Sequence, residues 1–313
     1  MNAHFITRPT CPACGGGNAT TIFSRPYADT TLRAALEKFY AEVGGLEYEA
    51  LLGADYVVHA CPGCGLYFQR DVPDDYLLGQ LYEKWISPQR AYERFHAHPP
   101  PSRHLEIARD VFISLSLVRR REGALRALDY GCGWGEWSRM TQAYGMESWG
   151  TELSATRRDA CLRAGIRVVP ENELPAGGFD LINVDQVFEH LPSPADTLQL
   201  LKQKLRAGGV LRLAVPNAWR VASHLKRFDR ELSRPRLGGM NALAPLEHLN
   251  GFTTRSLVRM AADQGLKRLN PPWRVLGGAW LLPPGLRAKL KAVVRPFYLR
   301  SNRSTQLWFA HAS

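Results

Sequence analysis

The sequence predicts an α/β protein whose mostly parallel sheet is covered by helices on both faces and is preceded by a small cysteine-rich module. From residue 102 to residue 264, segments of helical periodicity alternate with short apolar segments typical of buried strands. One strand runs directly into a glycine-rich turn, ALDYGCGWGEW at residues 127–137. Four of the six cysteines lie within the first 70 residues, where periodicity is weak.

The predicted elements follow one another in a regular order. A helix is expected over residues 102–118, because apolar residues recur there at helical spacing. Strands and helices then alternate: strands are expected at 125–130, 148–152, 166–169, 179–184 and 210–215, with helices at 134–144, 155–164 and 195–206. A further helix is expected at 253–264, and residues 307–310 are expected to form a last strand at the edge of the sheet.

The composition is that of a globular protein with a basic surplus. The 313 residues include 40 Lys and Arg against 29 Asp and Glu, a net charge of +11. Such a surplus suits nucleic acid, an anionic membrane surface, a phosphorylated substrate or a simple solvated surface, and net charge does not choose among them. No apolar run approaches the roughly 18 residues of a membrane span, and no secretory signal is recognisable. A cytoplasmic protein is expected, and its oligomeric state stays open.

The cysteines form two copies of the pattern C-P-x-C-G. Cys11 and Cys14 make the first pair, and Cys61 and Cys64 make the second. A thioredoxin-like redox pair would need a single C-x-x-C beside a βαβ unit, and disulfides are rare in cytosolic proteins. Four thiolates from two such pairs complete a tetrahedral site with no open position. The pattern therefore predicts one structural Zn²⁺.

The glycine-rich turn has the spacing G-x-G-x-G, with Gly131, Gly133 and Gly135 at alternate positions. Glycines allow a sharp turn and let a ligand lie against the main chain. A pyrophosphate-binding turn has the spacing G-x-G-x-x-G instead. The difference points away from NAD and toward S-adenosylmethionine (SAM), which has no phosphate.

Four ordered runs resemble the class I SAM-dependent methyltransferases: LDYGCGWGEWS, WGTELS, FDLINVDQVFEHLPSP and LRAGGVLRLAVPN. The resemblance covers about residues 105–270. It implies a seven-stranded, mostly parallel, Rossmann-like sheet with a reversed last strand, and methyl transfer from SAM (EC 2.1.1.-). The four-cysteine module in front further resembles bacterial methyltransferases of sugars and natural products, which implies a small-molecule acceptor.

The residues expected to bind SAM lie at the ends of predicted strands. Glu152 ends the second strand, where a carboxylate can accept both ribose hydroxyls. Asp129 can orient the turn or accept from the SAM amine, and Asp185 with Gln186 should face the reacting end. The full expected set is Asp129, Gly131, Gly133, Gly135, Glu152, Asp185 and Gln186.

Two Glu-His pairs are candidates for removing a proton from the acceptor. Glu189-His190 follows the fourth strand, and Glu247-His248 lies in the run PLEHLNGFT. Histidine titrates near neutrality and suits a general base. The expected catalytic residues are therefore His190, His248 and Glu247, with scaffolding of the loops as the alternative role for the histidines.

The expected domains are a zinc module at 1–70, a connector at 71–104 and a methyltransferase domain at 105–313 with a basic insertion at 218–250. The insertion is expected to be a lid over the acceptor, whose arginines would bind the phosphates of a nucleotide- or lipid-linked sugar. Residues 286–294, with Arg287, Lys289 and Lys291, form either a helix on an anionic membrane or a solvated helix face.

Two other functions stay open from the sequence. An rRNA or tRNA methyltransferase would use the zinc module for RNA binding, although the N-P-P-Y-type tetrapeptide used on base amines is absent and Asp185-Gln186 stands after the fourth strand instead. A non-catalytic SAM-binding partner subunit would keep the cofactor site alone.

Overall fold

The computed structural model describes residues 4–119, 121–278 and 286–312. Contacts divide the chain into two compact units, each described by itself below. Unit 1 comprises Met1–His98, Phe188–Ala195 and Pro216–Met260, and unit 2 comprises Pro99–Val187, Asp196–Val215 and Ala261–Ser313. No helix in the described part of the chain is long and apolar enough to cross a membrane.

The regular elements of the described residues are numbered in chain order. The strands are β1 Phe5–Thr7, β2 Thr20–Pro26, β3 Asp55–Ala60, β4 Tyr67–Gln69, β5 Asp71–Pro73, β6 Arg126–Tyr130, β7 Glu147–Thr151, β8 Arg167–Val168, β9 Phe179–Asp185, β10 Leu205–Ala214, β11 Asn250–Gly251, β12 Leu266–Leu269 and β13 Gln306–His311. The helices are α1 Thr30–Ala41, α2 Asp75–Gln80, α3 Pro88–Phe95, α4 Pro101–Leu117, α5 Glu136–Ala143, α6 Ala155–Arg163, α7 Pro194–Lys204, α8 Val221–Leu225, α9 Phe228–Leu232, α10 Thr254–Asp263, α11 Trp273–Gly278 and α12 Leu286–Arg300.

Unit 2 is built on a seven-stranded sheet with the strand order β12-β13-β10-β9-β6-β7-β8. Strands β8, β7, β6, β9 and β10 run parallel, and β13 is antiparallel to both of its neighbours. The predicted α/β class, the seven strands and the single reversed strand are thereby confirmed. The predicted helices and strands between residues 102 and 264 are also found, with ends that differ by a few residues.

The last strand does not lie at the sheet edge, so that expectation was wrong. Strand β13 pairs with β10 on one side and with β12 on the other, and β12 forms the edge. Leu307, Trp308 and Phe309 are consecutive and all buried. An unbroken apolar run with no alternation is typical of a strand covered on both faces, and the pairing with both β10 and β12 places this strand inside the sheet.

The core of unit 2 lies between the sheet and helix α4. Ile107, Val111 and Ile113 of α4 are buried in one cluster with Leu181 and Trp308 of the sheet. The indole N–H of Trp308 donates a hydrogen bond of 2.9 Å to the Ser114 hydroxyl, which satisfies the one polar atom of this buried ring. Helix α4 therefore covers the sheet, as its apolar periodicity predicts.

Unit 1 contains two antiparallel sheets. Strands β1 and β5 form one pair, and β11, β4, β3 and β2 form a four-stranded sheet in that order. The core of unit 1 combines residues of the first 98 with residues 218–246. The Tyr56 ring stacks on the Phe228 ring with centroids 5.9 Å apart. The centroid of the Phe23 ring lies 4.5 Å from that of Phe228.

The predicted boundaries at residues 70 and 104 and the predicted separate insertion at 218–250 differ from the units in the structure. The insertion is amphipathic: its apolar side chains Leu225, Phe228, Leu232 and Met240 are buried in the unit 1 core. Its basic side chains face solvent instead, among them Lys226, Arg227, Arg230, Arg234 and Arg236. Since burial of apolar surface decides where a segment packs, the insertion belongs to unit 1.

Truncation of Phe228 to Ala is expected to cost about 3–5 kcal/mol of unfolding free energy, because a buried ring leaves a cavity between Phe23 and Tyr56. Urea unfolding followed by fluorescence and circular dichroism measures the loss. Trp219→Ala in the same segment is the matched control, since this indole is half exposed. Equal stability of the two variants would contradict the assignment of the insertion to the unit 1 core.

Candidate functional site

The glycine-rich turn of unit 2 connects β6 to α5 and is held by the end of the neighbouring strand β7. The Gly131 N–H donates to the Thr151 hydroxyl at 3.1 Å, and the Gly133 N–H donates to a Glu152 carboxylate oxygen at 3.0 Å. The other oxygen of Glu152 accepts from the Ser154 N–H at 2.9 Å. The Glu152 carboxylate, expected to meet a ribose, thus also orders the turn on which a ligand would lie.

Two of the turn's glycines are required for different reasons. Gly131 has a φ of +73°, and a Cβ there would lie 2.7 Å from a methyl group of Val187. Gly133 has a φ of +54°, but a Cβ there would meet no other protein atom within 4 Å. Gly131 is therefore needed for packing, whereas Gly133 keeps an open surface of main chain that a ligand can approach.

Asp129 lies inside unit 2 at the end of β6. Its carboxylate accepts a 2.8 Å hydrogen bond from the Asn183 amide on β9 and a 3.0 Å hydrogen bond from the Ser138 hydroxyl on α5. Burial raises the pKa of Asp129 to about 6, while these two hydrogen bonds act in the opposite direction. Of the two roles expected for Asp129, orientation of the turn is the one that this geometry supports.

Arg212 is not among the predicted site residues, yet it joins several polar groups of unit 2. Its guanidinium donates to the Asn183 side-chain oxygen at 2.6 Å and to Asp185 at 3.2 Å. It also donates to the buried Asp110 at 2.9 Å. The signal was present in the sequence, because an arginine in the apolar run VLRLAVP of a buried strand requires a partner.

Gln186 and Asp185 lie where β9 ends. Gln186 adopts a φ of 56°, a left-handed conformation that is uncommon for a residue other than glycine. Its N–H donates to the carbonyl of Ala214 on β10 at 2.8 Å. The strained backbone turns the chain sharply after β9, and such strain is concentrated at functional sites.

The four cysteines of the two C-P-x-C-G pairs converge in unit 1. Cys11 and Cys64 have sulfurs 3.6 Å apart, as have Cys14 and Cys61, and all four sulfurs lie within 4.8 Å of one another. In each pair the N–H of the following glycine donates to the carbonyl of the first cysteine at 2.8 Å. A tetrahedral ion with Zn–S bonds of about 2.3 Å holds its sulfurs roughly 3.8 Å apart, so the cluster fits a Zn²⁺ ion.

The three predicted catalytic residues also converge in unit 1. His190 Nδ1 lies 2.9 Å from the Glu247 carbonyl oxygen and 2.9 Å from the Tyr82 hydroxyl. The rings of His190 and His248 meet edge to face with centroids 4.7 Å apart. The Nδ1 atom of His248 is hydrogen bonded to the carbonyl of Asn241. Residues that are more than 50 positions apart in the chain therefore form one cluster.

Burial shifts the pKa values of Glu247 and His248 in this cluster in opposite directions. It raises the pKa of Glu247 to about 7, with the adjacent Tyr40 hydroxyl acting in the opposite direction. It lowers the pKa of His248 to about 4, so that this imidazole is neutral near pH 7. Tyr40 and Tyr82 were not predicted as members of the cluster, because nothing in their local sequence indicates it.

Glu189 extends the same cluster. One of its carboxylate oxygens lies 4.0 Å from His190 Nε2, and the ligand-type atoms of Glu189, His190 and His248 all lie within 4.8 Å of one another. Glu189 is fully buried. The cluster thus brings the polar atoms of one carboxylate and two imidazoles within 4.8 Å of one another.

Comparison with known proteins gives matches in the methyltransferases. A family model described as a methyltransferase domain matches residues 86–269, more than half of the chain. Trans-aconitate 2-methyltransferase of Azoarcus sp. (strain BH72) is 32% identical over 157 residues, which cover 44% of this chain and 56% of that protein. Ubiquinone biosynthesis O-methyltransferase of Bordetella pertussis is 26% identical over 143 residues, covering 41% and 54%. The chain spans about half the length of these curated relatives.

One of the solved structures that match the chain is that of the plantazolicin methyltransferase BamL. It is 14% identical, has a TM-score of 0.47, and the match covers 71% of this chain and 86% of that chain. The region matched by the family model includes the glycine-rich turn, Glu152 and the end of β9. The chain therefore belongs to this methyltransferase family, and it carries a class I SAM-dependent methyltransferase domain.

Proposed function

We propose that the chain transfers the methyl group of SAM to oxygen or carbon of a small-molecule acceptor, a sugar, saccharide or natural-product scaffold. The observation that carries the proposal is the glycine-rich turn, whose Gly133 N–H is tied to Glu152 in a domain of the methyltransferase family. The names of two relatives, which refer to trans-aconitate and to ubiquinone biosynthesis, support a small acceptor.

The expected cofactor residues divide the work of holding SAM, which supplies an electrophilic methyl group when bound. The main chain of Gly131, Gly133 and Gly135 would lie under its methionine part. Glu152 would accept from the ribose hydroxyls, since each of its oxygens has a second lone pair beside the one that accepts a backbone N–H. Asp185 would face the reacting end.

Glu247 is the proton acceptor that the electrostatics favour. A general base works best when its pKa lies near the working pH, and Glu247 has a pKa of about 7. His248, with a pKa of about 4, is a weak base, and His190 is engaged with the Glu247 carbonyl and Tyr82. In this proposal the acceptor's proton passes to the Glu247 carboxylate, and both histidines position the acceptor.

A structural Zn²⁺ in unit 1 is the second part of the proposal. Four thiolates close the coordination sphere, so the ion would hold the two cysteine turns together and would leave no position for a substrate. The ion would thereby join the turn after β1 to the hairpin of β3 and β4. Its contribution would be to folding and not to the methyl transfer.

Purified chain incubated with methyl-labelled SAM is expected to label a small molecule from a set of nucleotide-linked sugars, free saccharides and hydroxylated natural-product scaffolds. Scintillation counting and mass spectrometry identify the product. Transfer to rRNA or tRNA with no small-molecule product would overturn the acceptor class. A chain that binds SAM but transfers no methyl group would be a candidate for a non-catalytic partner subunit. That role would be supported if Glu152→Ala lost SAM binding and kept the biological activity of the protein.

Two glycine variants serve as controls in the same assay. Gly133→Val is expected to lose SAM binding by calorimetry while the zinc module of unit 1 stays folded, since its side chain would project from the open main-chain surface. The φ of +54° also strains the backbone of a β-branched residue, so unit 2 is expected to lose some stability. Gly131→Ala is expected to lower the free energy of unfolding of unit 2, because its Cβ would lie 2.7 Å from a methyl group of Val187. Unchanged affinity in Gly133→Val would refute the cofactor assignment of the turn.

Replacement of Glu247 by Gln is expected to lower kcat by about 10²–10⁴-fold, as for other general bases, and to abolish the rise of activity with pH through about 7. The pH–rate profile of each protein measures this. Glu231→Gln is the matched control, because Glu231 is a buried carboxylate of the same unit bound to the Gly239 N–H. A Glu247→Gln profile that keeps the wild-type midpoint would assign the base elsewhere.

Stability distinguishes a base from a structural group in the same variants. The folded-state pKa of Glu247 lies above the ordinary value of 4.5, so the folded protein binds the extra proton and wild-type stability falls as pH rises from about 4.5 to about 7. Glu247→Gln removes this component of the decline. The pKa of Glu231 is lowered by its hydrogen bond from Gly239, so Glu231→Gln is expected to lose stability at neutral pH.

Metal analysis of the purified chain is expected to find about one zinc ion per chain. Cys11→Ser is expected to lose it, because three thiolates remain, whereas Cys132→Ser in unit 2 keeps it and serves as the control. Full zinc content in Cys11→Ser would contradict the four-thiolate site. A second ion that His190→Ala removes would contradict the acid–base role of the histidine cluster.

A further inference from the structure

Among the side chains of helix α12 that the structure describes, those on one face pack on unit 2. Ala292 and Leu299 on this face are buried, and they lie two helical turns apart. Arg295 on the same face donates to the Asp110 carboxylate at 3.0 Å. These contacts anchor the helix and determine which of its side chains point away from the unit.

The opposite face of α12 is apolar as well, although it is exposed. Leu290 is 58% exposed, Val294 is 59% exposed and Phe297 is 63% exposed, at the spacing of one helix face. The ring of the exposed Trp273 lies 5.2 Å from that of Phe297 and continues the same surface. We call this surface the α12 patch; it consists of Trp273, Leu290, Val293, Val294, Phe297 and Tyr298.

The α12 patch departs from what a solvated helix face requires. A surface helix normally carries charged and polar residues on the face opposite its buried stripe. Contiguous apolar exposure of this kind marks an interaction site. A solvated face, one of the two alternatives for residues 286–294, does not account for these side chains.

The chain segment that carries the α12 patch is strongly basic. The chain from residue 264 to residue 313 contains nine Lys and Arg and no Asp or Glu, so it supplies most of the net charge of +11. Lys289 lies on the exposed face, and the Arg300 guanidinium lies 4.9 Å from the Trp273 ring. The side chains of Arg287 and Lys291 lie outside the described residues. An apolar surface that is bordered by cations is complementary to an apolar surface that is bordered by anions.

We propose that the α12 patch docks on the surface of an anionic lipid bilayer. Its Leu, Val and aromatic side chains would enter the boundary between headgroups and acyl chains, while the surrounding Lys and Arg pair with anionic headgroups. The helix would lie in the plane of the membrane, since no described helix is long and apolar enough to cross it. The inference concerns membrane attachment and does not depend on the proposed methyl transfer.

Two other occupants fit the α12 patch less well. If a second copy docked around a two-fold axis, the patch would lie against the same patch of the other copy. A segment with nine cations and no acid would then be repelled by the same positive segment of that copy. Single-stranded nucleic acid is bound by aromatic rings on which bases stack, whereas half of the patch, Leu290, Val293 and Val294, is aliphatic and offers no ring for stacking. The lipid surface satisfies both the apolar and the cationic part.

Co-sedimentation of the full chain with vesicles tests the proposal. Binding to vesicles of phosphatidylcholine mixed with phosphatidylglycerol is expected to exceed binding to phosphatidylcholine alone by about tenfold or more, and to weaken with added salt. Phe297→Glu is expected to lower vesicle affinity by about tenfold or more, because one large apolar side chain is withdrawn from burial and a like charge is added. Lys289→Glu is expected to weaken binding to the anionic vesicles alone.

Leu162→Glu is the matched control, because Leu162 is also in unit 2 and is 50% exposed, but lies outside the α12 patch. It is expected to bind vesicles like the wild type. Circular dichroism and SAM affinity of each variant establish that the fold is kept. Equal binding to both vesicle types, or equal binding by Phe297→Glu and the wild type, would overturn the proposal. So would an oligomer that Phe297→Glu dissociates, which identifies a second copy, or salt-sensitive RNA binding without vesicle binding.

Discussion

A buried chain of polar contacts through the sheet of unit 2 is the constraint on which the rest of that unit depends. It runs from Asp129 on β6 to Asn183 on β9, on to Arg212 on β10 and from there to Asp110 on α4. Arg295 of α12 joins it at Asp110. Buried charges and amides are costly unless each has a partner, so these elements are held in one relative arrangement. The end of β6, where the glycine-rich turn begins, is positioned by the same contacts.

This chain of contacts links the two surfaces to which functions are assigned in unit 2. At one end, Asp129 also binds Ser138 and so sets the direction in which α5 leaves the turn. At the other end, Arg295 turns one face of α12 inward and the apolar α12 patch outward. Exposure of that patch is therefore a consequence of how the unit is assembled and not of a helix left without contacts.

Unit 1, like unit 2, is assembled from three separate stretches of the chain. The apolar side of residues 218–246 completes a core that the first 98 residues begin. Packing these stretches together brings Tyr82, His190 and the Glu247–His248 pair within hydrogen-bonding range. Burial then moves the pKa of Glu247 up and that of His248 down, so the pKa values of two adjacent residues shift in opposite directions.

The sequence by itself determined the parts that depend on short-range patterns. The alternation of strands and helices, the G-x-G-x-G turn, Glu152 at the end of β7 and the two C-P-x-C-G pairs are all encoded within a few residues, because backbone conformation and apolar periodicity are local properties. Only the tertiary structure decided three features: the position of β13 inside the sheet, the membership of residues 216–260 in unit 1, and the contacts of Tyr40 with Glu247 and of Tyr82 with His190. These depend on which apolar faces bury one another across long separations in the chain, and burial, which also sets the pKa values, exists only once the chain has folded.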